Sequence, residues 1–299
     1  MGYINVFLSS PCKISIIHRQ LVVQGEELEK FPLEDLNCLL FESHECTVTS
    51  YALQSLAEHN VAVFLCDKYH MPSGALLPFN GYYRQKKTLD LQISLSKPLQ
   101  KQLWTQIVKQ KITNQAEVCK LNALEEYVRI TALVKEVNSG DTTNVEAIAA
   151  NIYFKILFGK GFSRQNESGI NACLNYGYAI LRGLISRTLV AYGFQPCIGL
   201  HHCNELNSFN LADDIIESFR PVVDLLVFNN IGLVKNQLDT TLKKLIFGIV
   251  NTDVLINNQM CSLSYAVELV VQTLLSSITK GTNELSLPNI LPIKSHSYE

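Results

Sequence analysis

The spacing of hydrophobic residues changes once along this chain of 299 residues, and no other feature of the sequence constrains its fold as strongly. Before residue 80 the apolar residues come in brief β-branched runs separated by polar turns, which is typical of strands. From Leu99 they recur at steps of three and four residues, the period of an amphipathic helix. The sequence therefore predicts an α+β protein, with a small β-rich N-terminal domain followed by a larger all-helical domain. The predicted bounds are 1–80 for the β-rich domain, 81–98 for a linker, 99–285 for the helical domain and 286–299 for a disordered tail.

Turn residues and helix caps divide the two domains into shorter elements. The expected strands are 4–8, 13–17, 21–24, 36–41, 47–49 and 61–66. Ser50 is a candidate cap for a helix over 51–59, and residues 71–74 have the composition of a turn. In the second domain, Asn144 is a candidate cap for a helix over 145–158, and Pro221 is expected to end another. The remaining expected helices are 170–192, 212–219, 239–250 and 264–278.

Composition excludes several classes of protein. Hydrophobic residues make up 47% of the chain and charged residues 17%, which excludes disorder for most of it. No apolar run reaches the roughly 18 residues of a membrane span, and the first residues lack the order of a signal peptide, so we expect a cytoplasmic protein. The nine cysteines include no C-x-x-C pair, which argues against a structural zinc site. The formal net charge of -2, taken alone, argues against a nucleic-acid partner.

One compact basic and aromatic cluster stands against that last inference. Residues 82–87 read Tyr-Tyr-Arg-Gln-Lys-Lys, directly after a segment rich in turn residues. Such a cluster is either a solvated linker or a contact with the DNA backbone beside a stacking platform. The sequence leaves both interpretations open.

Three groups of polar residues lie within or beside segments that are otherwise apolar. Glu146 shares a helical face with Ala150 and Tyr153, although an acid in a first turn is also favoured by the helix dipole. His201 and His202 follow an apolar segment, and because they are adjacent only one of them can face a given site.

The third group is acidic. Asp213 and Asp214 precede Glu217 by four and three residues, so on a helix their carboxylates share a face, which is also common on a solvated surface. Arg220 is close enough along the helix to pair with Glu217 or to contact a phosphate. Carboxylates with one imidazole suit Mg²⁺ or Mn²⁺, ions that serve phosphodiester chemistry. The spacing alone leaves this metal site as one hypothesis among several.

Four blocks of sequence, in order along the chain, resemble those of the CRISPR adaptation integrase family, known as CRISPR-associated protein "one". The blocks are Glu146-Ala147-x-x-Ala150-x-x-Tyr153-Phe154; Phe162-x-Arg164 with Ile170-Asn171-Ala172-x-Leu174-x-Tyr176-Gly177-Tyr178; Gly199-Leu200-x-His202; and Asp214-Ile215-x-Glu217-x-Phe219-Arg220-Pro221. Two further segments resemble the branch from type II systems. They are Leu77-Pro78-Phe79-x-Gly81 and Trp104-x-x-Ile107-x-x-Gln110-Lys111-Ile112-x-Asn114-Gln115.

The resemblance implies a metal-dependent DNA integrase. It assigns the catalytic metal ligands, for Mg²⁺ or Mn²⁺, to Glu146, His202 and Glu217. Asp214 matches an acid near the site, and the resemblance makes it, with Tyr153, Arg164 and Arg220, a candidate for contacting the ligands or DNA; His201 is secondary. Glu167 stands where many members carry an Asp nearby, which leaves its role open.

The implied reaction joins the 3′-hydroxyl of a protospacer strand to the leader-repeat boundary by transesterification. The implied partners are double-stranded DNA (protospacer and CRISPR repeat), a second copy of the chain in a homodimer formed by the N-terminal domain, and a small second adaptation protein that two such dimers bind in a hetero-hexamer. In type II systems an RNA-guided effector nuclease and a DNA-end-binding ring protein also take part. Two alternatives remain: a metal-dependent DNA endonuclease that uses water, with the same ligands, and a helical scaffold with no catalytic activity.

Overall fold

Two units divide the chain between residues 81 and 82, as found in a computed structural model that describes residues 4–76, 84–235 and 238–293. The motif at 77–81 and the tyrosines of the 82–87 cluster lie outside the described residues. In the described part of that cluster, Lys86 pairs with Asp90 at 2.7 Å on the exposed surface, which offsets one of its positive charges. None of the described helices has the length and hydropathy that a membrane span needs.

Residues 4–76 of the first unit form two four-stranded sheets and one α-helix. The strands are β1 (Ile4–Leu8), β2 (Lys13–Ile17), β3 (Gln20–Gln24), β4 (Leu28–Pro32), β5 (Leu36–Phe41), β6 (Thr47–Val48), β7 (Ala62–Cys66) and β8 (Pro72–Leu76), and the helix is α1 (Ser50–Glu58). One sheet has the order β1-β5-β7-β8 and the other β4-β3-β2-β6. All six residues of β5 are buried, as expected for a central strand with parallel neighbours. Residues from both sheets and α1 form one core, including Ile14, Leu21, Leu39 and Leu56.

The strands expected at 4–8, 13–17 and 36–41 are confirmed, but two strands were missed. β4 begins with three exposed residues, so it lacks the apolar run that identifies a buried strand. The turn expected at 71–74 is wrong, because Pro72 opens β8, a position where a strand tolerates proline. The cap of α1 is Thr49 rather than Ser50, since the Oγ1 atom of Thr49 accepts a hydrogen bond from the Ala52 N–H at 3.2 Å.

The second unit is mostly helical, as the sequence predicts. Its helices are α2 (Gln85–Ile93), α3 (Lys97–Leu121), α4 (Tyr127–Leu133), α5 (Val145–Phe158), α6 (Gly169–Ala191), α7 (Asn210–Ile216), α8 (Arg220–Asn229), α9 (Thr240–Phe247) and α10 (Leu263–Lys280). The expectation of an all-helical domain needs one correction: β9 (Asp253–Ile256), β10 (Gln259–Ser262) and β11 (Asn289–Ile290) form a small antiparallel sheet.

Two long helices organise this unit. α3 packs against α4, α5 and α8, and α6 packs against α7, α8, α9 and α10. Gly177 allows α6 to approach α8, because a Cβ atom at this position would lie 2.5 Å from Cγ1 of Val223. Pro221 does not end a helix as expected: it lies in the first turn of α8, where proline is well tolerated. The chain therefore turns between α7 and α8, at residues 217–219.

The helical unit extends beyond its predicted bounds at both ends. The linker expected at 81–98 contains α2, and the side chain of Gln92 donates hydrogen bonds to the carbonyls of Gln195 (2.9 Å) and Ile198 (2.7 Å). The disordered tail expected from residue 286 is wrong for residues 286–293. There β11 pairs with β9, and the carbonyl of Pro288 accepts a hydrogen bond from Asn114 at 2.9 Å. Residues 294–299 lie outside the described part of the chain.

Candidate active site

Two glutamates and one lysine from separate segments meet in the helical unit. Glu146 lies in the first turn of α5, Glu217 lies between α7 and α8, and Lys111 projects from α3. The Lys111 ammonium donates hydrogen bonds to Oε1 of Glu146 and to Oε2 of Glu217. Two carboxylates that lie 71 positions apart in the sequence therefore share one cation.

The position of Glu146 depends on how α5 begins. Asn144 does not cap this helix through its side chain, contrary to the sequence-based expectation. Asp141 does so instead: its two carboxylate oxygens accept hydrogen bonds from the N–H groups of Val145 (2.9 Å) and Glu146 (3.0 Å). The backbone of Glu146 is thus fixed, while its side chain remains 25% exposed.

Positive charge surrounds Glu217, whose side chain is only 7% exposed. Arg220 forms an ion pair with it, with 2.9 Å between Nε and Oε1, while Lys111 contacts the other oxygen. Burial alone would raise the pKa of Glu217, but Arg220 and Lys111 outweigh it and lower that pKa to about 2. Burial disfavours the Lys111 ammonium too, yet Glu217 and Glu146 raise its pKa above 10.5. Lys111, Glu217 and Arg220 are therefore charged at neutral pH.

Asp214 fixes the conformation of the loop at residues 200–202, which contains both histidines. Its side chain is fully buried and accepts four hydrogen bonds from residues 200–202. These bonds come from the backbone N–H groups of Leu200 (2.6 Å), His201 (3.1 Å) and His202 (3.1 Å), and from Nδ1 of His202 (2.7 Å). Gly199 makes this close approach possible, because a Cβ atom there would lie 2.3 Å from the His202 carbonyl. Asp214 therefore positions the loop, and the shared face expected for Asp214 and Glu217 does not produce a joint carboxylate site.

The two histidines of this loop have different surroundings. The ring of His201 stacks on the buried Trp104, with 4.3 Å between ring centroids, so His201 serves to pack the loop. His202 has its Nδ1 held by Asp214, which leaves Nε2 as the nitrogen that could bind a metal. The hydrogen bond to Asp214 is the main cause of a raised His202 pKa, and the charge of Glu217 raises it further. Only one of the two adjacent histidines is therefore available as a ligand, as the sequence suggested.

A second cluster lies next to the first and contains three of the sequence candidates. The Arg220 guanidinium lies 4.5 Å from the ring centre of Tyr178, and Arg164 lies 5.3 Å from it. Tyr178 donates a hydrogen bond to Asp224, a buried acid whose pKa is raised to about 6 by burial. Tyr153 is fully buried beside Asp224, so it supports this cluster and is not exposed to a DNA strand.

Sequence reasoning missed Lys111, although one signal could have revealed it. Lys111 follows Ile107 by four residues and Val108 by three, so it interrupts the apolar stripe of α3 with a charge. It also missed Trp104 and Tyr178 as supports of the site, because buried aromatic residues at helical spacing are normally assigned to the core. It missed Asp224 because its contact with Tyr178 joins residues 46 positions apart. Glu167 is exposed and has no place in either cluster.

The donors fit one divalent cation, although their present arrangement does not form a complete metal site. Among residues 4–76, 84–235 and 238–293, no three His, Cys, Asp or Glu side chains converge closely enough to hold a metal. Glu146 and Glu217 nevertheless already share one cation, and His202 lies near enough for the charge of Glu217 to affect its pKa. Two carboxylates and one imidazole are ligands that suit Mg²⁺ or Mn²⁺.

Comparison with known proteins identifies the family. The family model for CRISPR associated protein Cas1 matches residues 6–244, a range that includes every residue of the site. The chain belongs to the Cas1 family. The resemblance seen in the four sequence blocks is thus confirmed.

Two curated Cas1 relatives match over most of their length. The CRISPR-associated endonuclease Cas1 of Neisseria meningitidis serogroup C (strain 8013) is 40% identical over 304 residues, which cover 100% of both chains. The CRISPR-associated endonuclease Cas1 1 of Francisella tularensis subsp. novicida (strain U112) is 26% identical and covers 76% of this chain and 79% of its own.

Solved structures confirm the fold. A casposase bound to an integration product superposes with a TM-score of 0.77 at 20% identity, over 95% of this chain and 92% of its own. A Cas1 protein from Thermotoga maritima gives a TM-score of 0.68 at 15% identity, over 93% of this chain and 97% of its own. The β-rich first unit and the mostly helical second unit are therefore those of the Cas1 fold.

Proposed function

We propose that this Cas1 protein is a metal-dependent DNA integrase of CRISPR adaptation, in a type II system. One observation carries the proposal: the carboxylates of Glu146 and Glu217 share one cation beside His202, in a chain of the Cas1 family. The casposase that shares the fold was solved with an integration product, which supports the same class of reaction here. The full-length match to the Neisseria relative agrees with the type II branch that the motifs indicate.

The proposed metal ligands are Glu146, Glu217 and Nε2 of His202, for Mg²⁺ or Mn²⁺. The chemistry that a bound divalent cation supplies is Lewis acidity toward the attacking 3′-hydroxyl and the phosphoryl oxygens. Asp214 accepts the proton of Nδ1 in a hydrogen bond and so favours the tautomer of His202 in which Nε2 keeps its lone pair. Arg220, whose side chain is 29% exposed, brings a positive charge to Oε1 of Glu217. This charge is placed to stabilise a phosphodiester that approaches the site.

In the proposed reaction, the 3′-oxygen of a protospacer strand forms a bond to phosphorus at the leader-repeat boundary. The bond from that phosphorus to the 3′-oxygen of the cut strand breaks, and the released oxygen takes up a proton as the attacking hydroxyl loses one. One phosphodiester replaces another, so no covalent intermediate on the protein is needed. A second copy of the chain would perform the same step on the opposite strand.

The proposed partners are double-stranded DNA, a second copy of the chain, and a small second adaptation protein in a hetero-hexamer. The RNA-guided effector nuclease and a DNA-end-binding ring protein complete the proposal for a type II system, with the cytoplasm as its location. Structural neighbours support the first and third partners. One is a Cas6-RT-Cas1–Cas2 complex, with a TM-score of 0.67, and another is a Cas1–DNA complex, with a TM-score of 0.54.

A DNA endonuclease that uses water is the second candidate, because the curated relatives are named endonucleases. The same residues would serve either reaction. The two differ in the attacking oxygen, so the products separate them: integration joins the labelled strand to the target, whereas hydrolysis only nicks or cuts the target.

A plasmid assay tests the proposal. The chain, its small adaptation partner, Mg²⁺ or Mn²⁺, a labelled protospacer and a supercoiled plasmid carrying leader and repeat are combined, and covalent transfer of label is measured. We expect transfer with the wild type and none with Glu146→Gln, Glu217→Gln or His202→Ala, all folded by circular dichroism. Glu167→Gln, an exposed acid outside the site, is the matched control and should retain full activity. Nicking without transfer would favour the endonuclease, and wild-type transfer by any of the three site variants would remove that residue from the ligand set.

A further inference from the structure

Lys111 is the one buried lysine of α3. The other lysines of this helix are exposed to solvent, whereas the Lys111 side chain is only 8% exposed. They are Lys97, Lys101, Lys109 and Lys120. Burying an ammonium group is costly unless carboxylates compensate for the lost hydration. Glu146 and Glu217 provide that compensation, and both of them contact the same Nζ atom.

The charges of the cluster already balance without a metal ion. Lys111 and Arg220 carry two positive charges, and Glu146 and Glu217 carry two negative ones. The two cations contact different oxygens of Glu217: Arg220 lies by Oε1, and Lys111 lies by Oε2. A divalent ion bound between Glu146 and Glu217 would therefore meet the ammonium at the position that both carboxylates face.

An ammonium and a divalent ion cannot occupy that position together, because like charges at contact distance repel strongly in a site that is largely closed to water. Lys111 can leave, since its charge is at the end of a flexible four-carbon chain, whereas Arg220 is also packed over the ring of Tyr178. Its departure would free the oxygens of Glu146 and Glu217 that it now contacts.

We propose that Lys111 is a built-in counter-ion that holds Glu146 and Glu217 together before metal is bound, and that the metal displaces its ammonium from both carboxylates. This inference rests on the proposed metal site. It makes Lys111 a positioning residue in the metal-free protein and a competitor of the metal. The strength of metal binding is then set in part by a residue that is not a ligand.

Titration calorimetry with Mn²⁺ tests the competition in wild type, in Lys111→Met, and in Lys109→Met as the matched control from the exposed side of the same helix. Lys111→Met should bind Mn²⁺ about tenfold or more tightly than wild type, because the ion no longer displaces a cation. Without metal, its melting temperature should be lower than that of wild type, because the two carboxylates then lie together without the cation that bridges them and only Glu217 keeps a partner, Arg220. Mn²⁺ should raise that melting temperature by more than it does in wild type. Lys109→Met should match wild type in both measurements, and Lys111→Arg, which keeps the charge, should not show the tighter binding.

An affinity in folded Lys111→Met that is equal to or weaker than that of wild type would overturn the inference. A purely structural role for Lys111 gives that result, with a lower melting temperature and no gain in affinity. If Lys111→Met does not fold, acetylation of wild-type protein by acetic anhydride, read by peptide mass spectrometry, replaces it. The reactivity of Lys111 should then rise several-fold on addition of Mn²⁺ while that of Lys109 stays constant, and a constant reactivity of Lys111 would refute displacement.

A further variant separates failure of this inference from failure of the proposed function. If wild type binds no Mn²⁺, or if Glu146→Gln binds it as well as wild type does, the metal site itself is wrong. If binding depends on Glu146 but Lys111→Met leaves it unchanged, the metal site stands and only the role of Lys111 is wrong.

Discussion

Replacing Asp214 by asparagine tests how His202 is held in place. The substitution keeps the shape of the side chain and removes its charge. Each carboxylate oxygen of Asp214 accepts two hydrogen bonds: Oδ1 from the N–H and Nδ1 of His202, and Oδ2 from the N–H groups of Leu200 and His201. In asparagine one oxygen becomes an amide group that can only donate. Two of the four donors must therefore lose their acceptor in either orientation of the amide.

The size of the effect follows from those two lost bonds. A hydrogen bond to a charged group contributes about 1.5–3 kcal/mol, so the loss amounts to roughly 3–6 kcal/mol. Relief from burying a charge offsets part of it, and we expect a net destabilisation of about 3 kcal/mol. For a helical unit of this size that corresponds to a fall in melting temperature of roughly 6–12 °C, within the stability of an ordinary domain. The variant should therefore remain folded at room temperature.

The same substitution should lower the pKa of His202, because the hydrogen bond to Asp214 is the main cause of its raised value. A histidine whose pKa is higher in the folded than in the unfolded chain stabilises the protein. This contribution is fully present at a pH below the unfolded-state pKa, and it disappears as the pH rises through the folded-state pKa. The stability gap between wild type and Asp214→Asn should thus be widest in acid and should narrow as the pH rises.

Calorimetric melting over a range of pH, with NMR titration of the His202 ring, measures both effects. Asp213→Asn is the matched control: its carboxylate contacts Arg182 at 2.7 Å in a half-exposed pair and makes no bond to the 200–202 backbone. We expect it to lower the pKa of His202 by less than Asp214→Asn does, because Asp213 raises that pKa through its charge alone, and to cost about 1 kcal/mol or less. A wild-type melting temperature for Asp214→Asn, or an unchanged pKa of His202, would refute the account of Asp214 given above.

Three further predictions concern Asp224, Gly177 and His202. Burial raises the pKa of Asp224 from 3.8 to about 6, so at a pH above about 6 its ionisation costs the folded state about 3 kcal/mol. Calorimetry should therefore show that Asp224→Asn gains stability relative to wild type as the pH rises from about 4 to about 7. Gly177→Ala places a methyl group 2.5 Å from Val223, and we expect a loss of about 1–3 kcal/mol in thermal unfolding. The rate of strand joining should fall as the pH drops through the titration of His202, since an imidazolium cannot bind a metal; a rate independent of pH down to about 5 would argue against His202 as a ligand.

The sequence pattern predicted an element correctly where interactions between residues close in the sequence determine that element. Helix α5 has the bounds that its sequence predicts, Val145–Phe158, because its buried residues recur every four positions and Gly159 follows with a positive φ of 94°. Most strands of the first unit were found because they are short, β-branched and bounded by turns. Strand β8 was missed because a proline and a glycine within five residues look like a turn when pairing with β7 is not known.

Only the proposed metal ligands of the site could be predicted from the sequence. Glu146, His202 and Glu217 are recognised by their motifs, but the contacts that hold them depend on tertiary packing. Lys111 lies 35 residues before Glu146 and 106 before Glu217, and no local pattern relates residues at such separations. The strand at Asn289–Ile290 was missed for the same reason, because a strand of two residues is recognised only through its pairing with β9.

The net charge of -2, which first argued against nucleic acid, carries no information about this site. Lys111 and Arg220 cancel Glu146 and Glu217 in any count, although the four charges lie in one small cluster. A phosphate therefore does not meet a net negative charge from these four residues before metal is bound. With a divalent ion bound and the Lys111 ammonium displaced, Arg220, Glu146, Glu217 and the ion would together carry one positive charge, which favours the phosphodiester where it is to react. A chain of nearly neutral composition can thus have a positively charged metal-bound site, because the cations and carboxylates that pair inside the site cancel in the net charge.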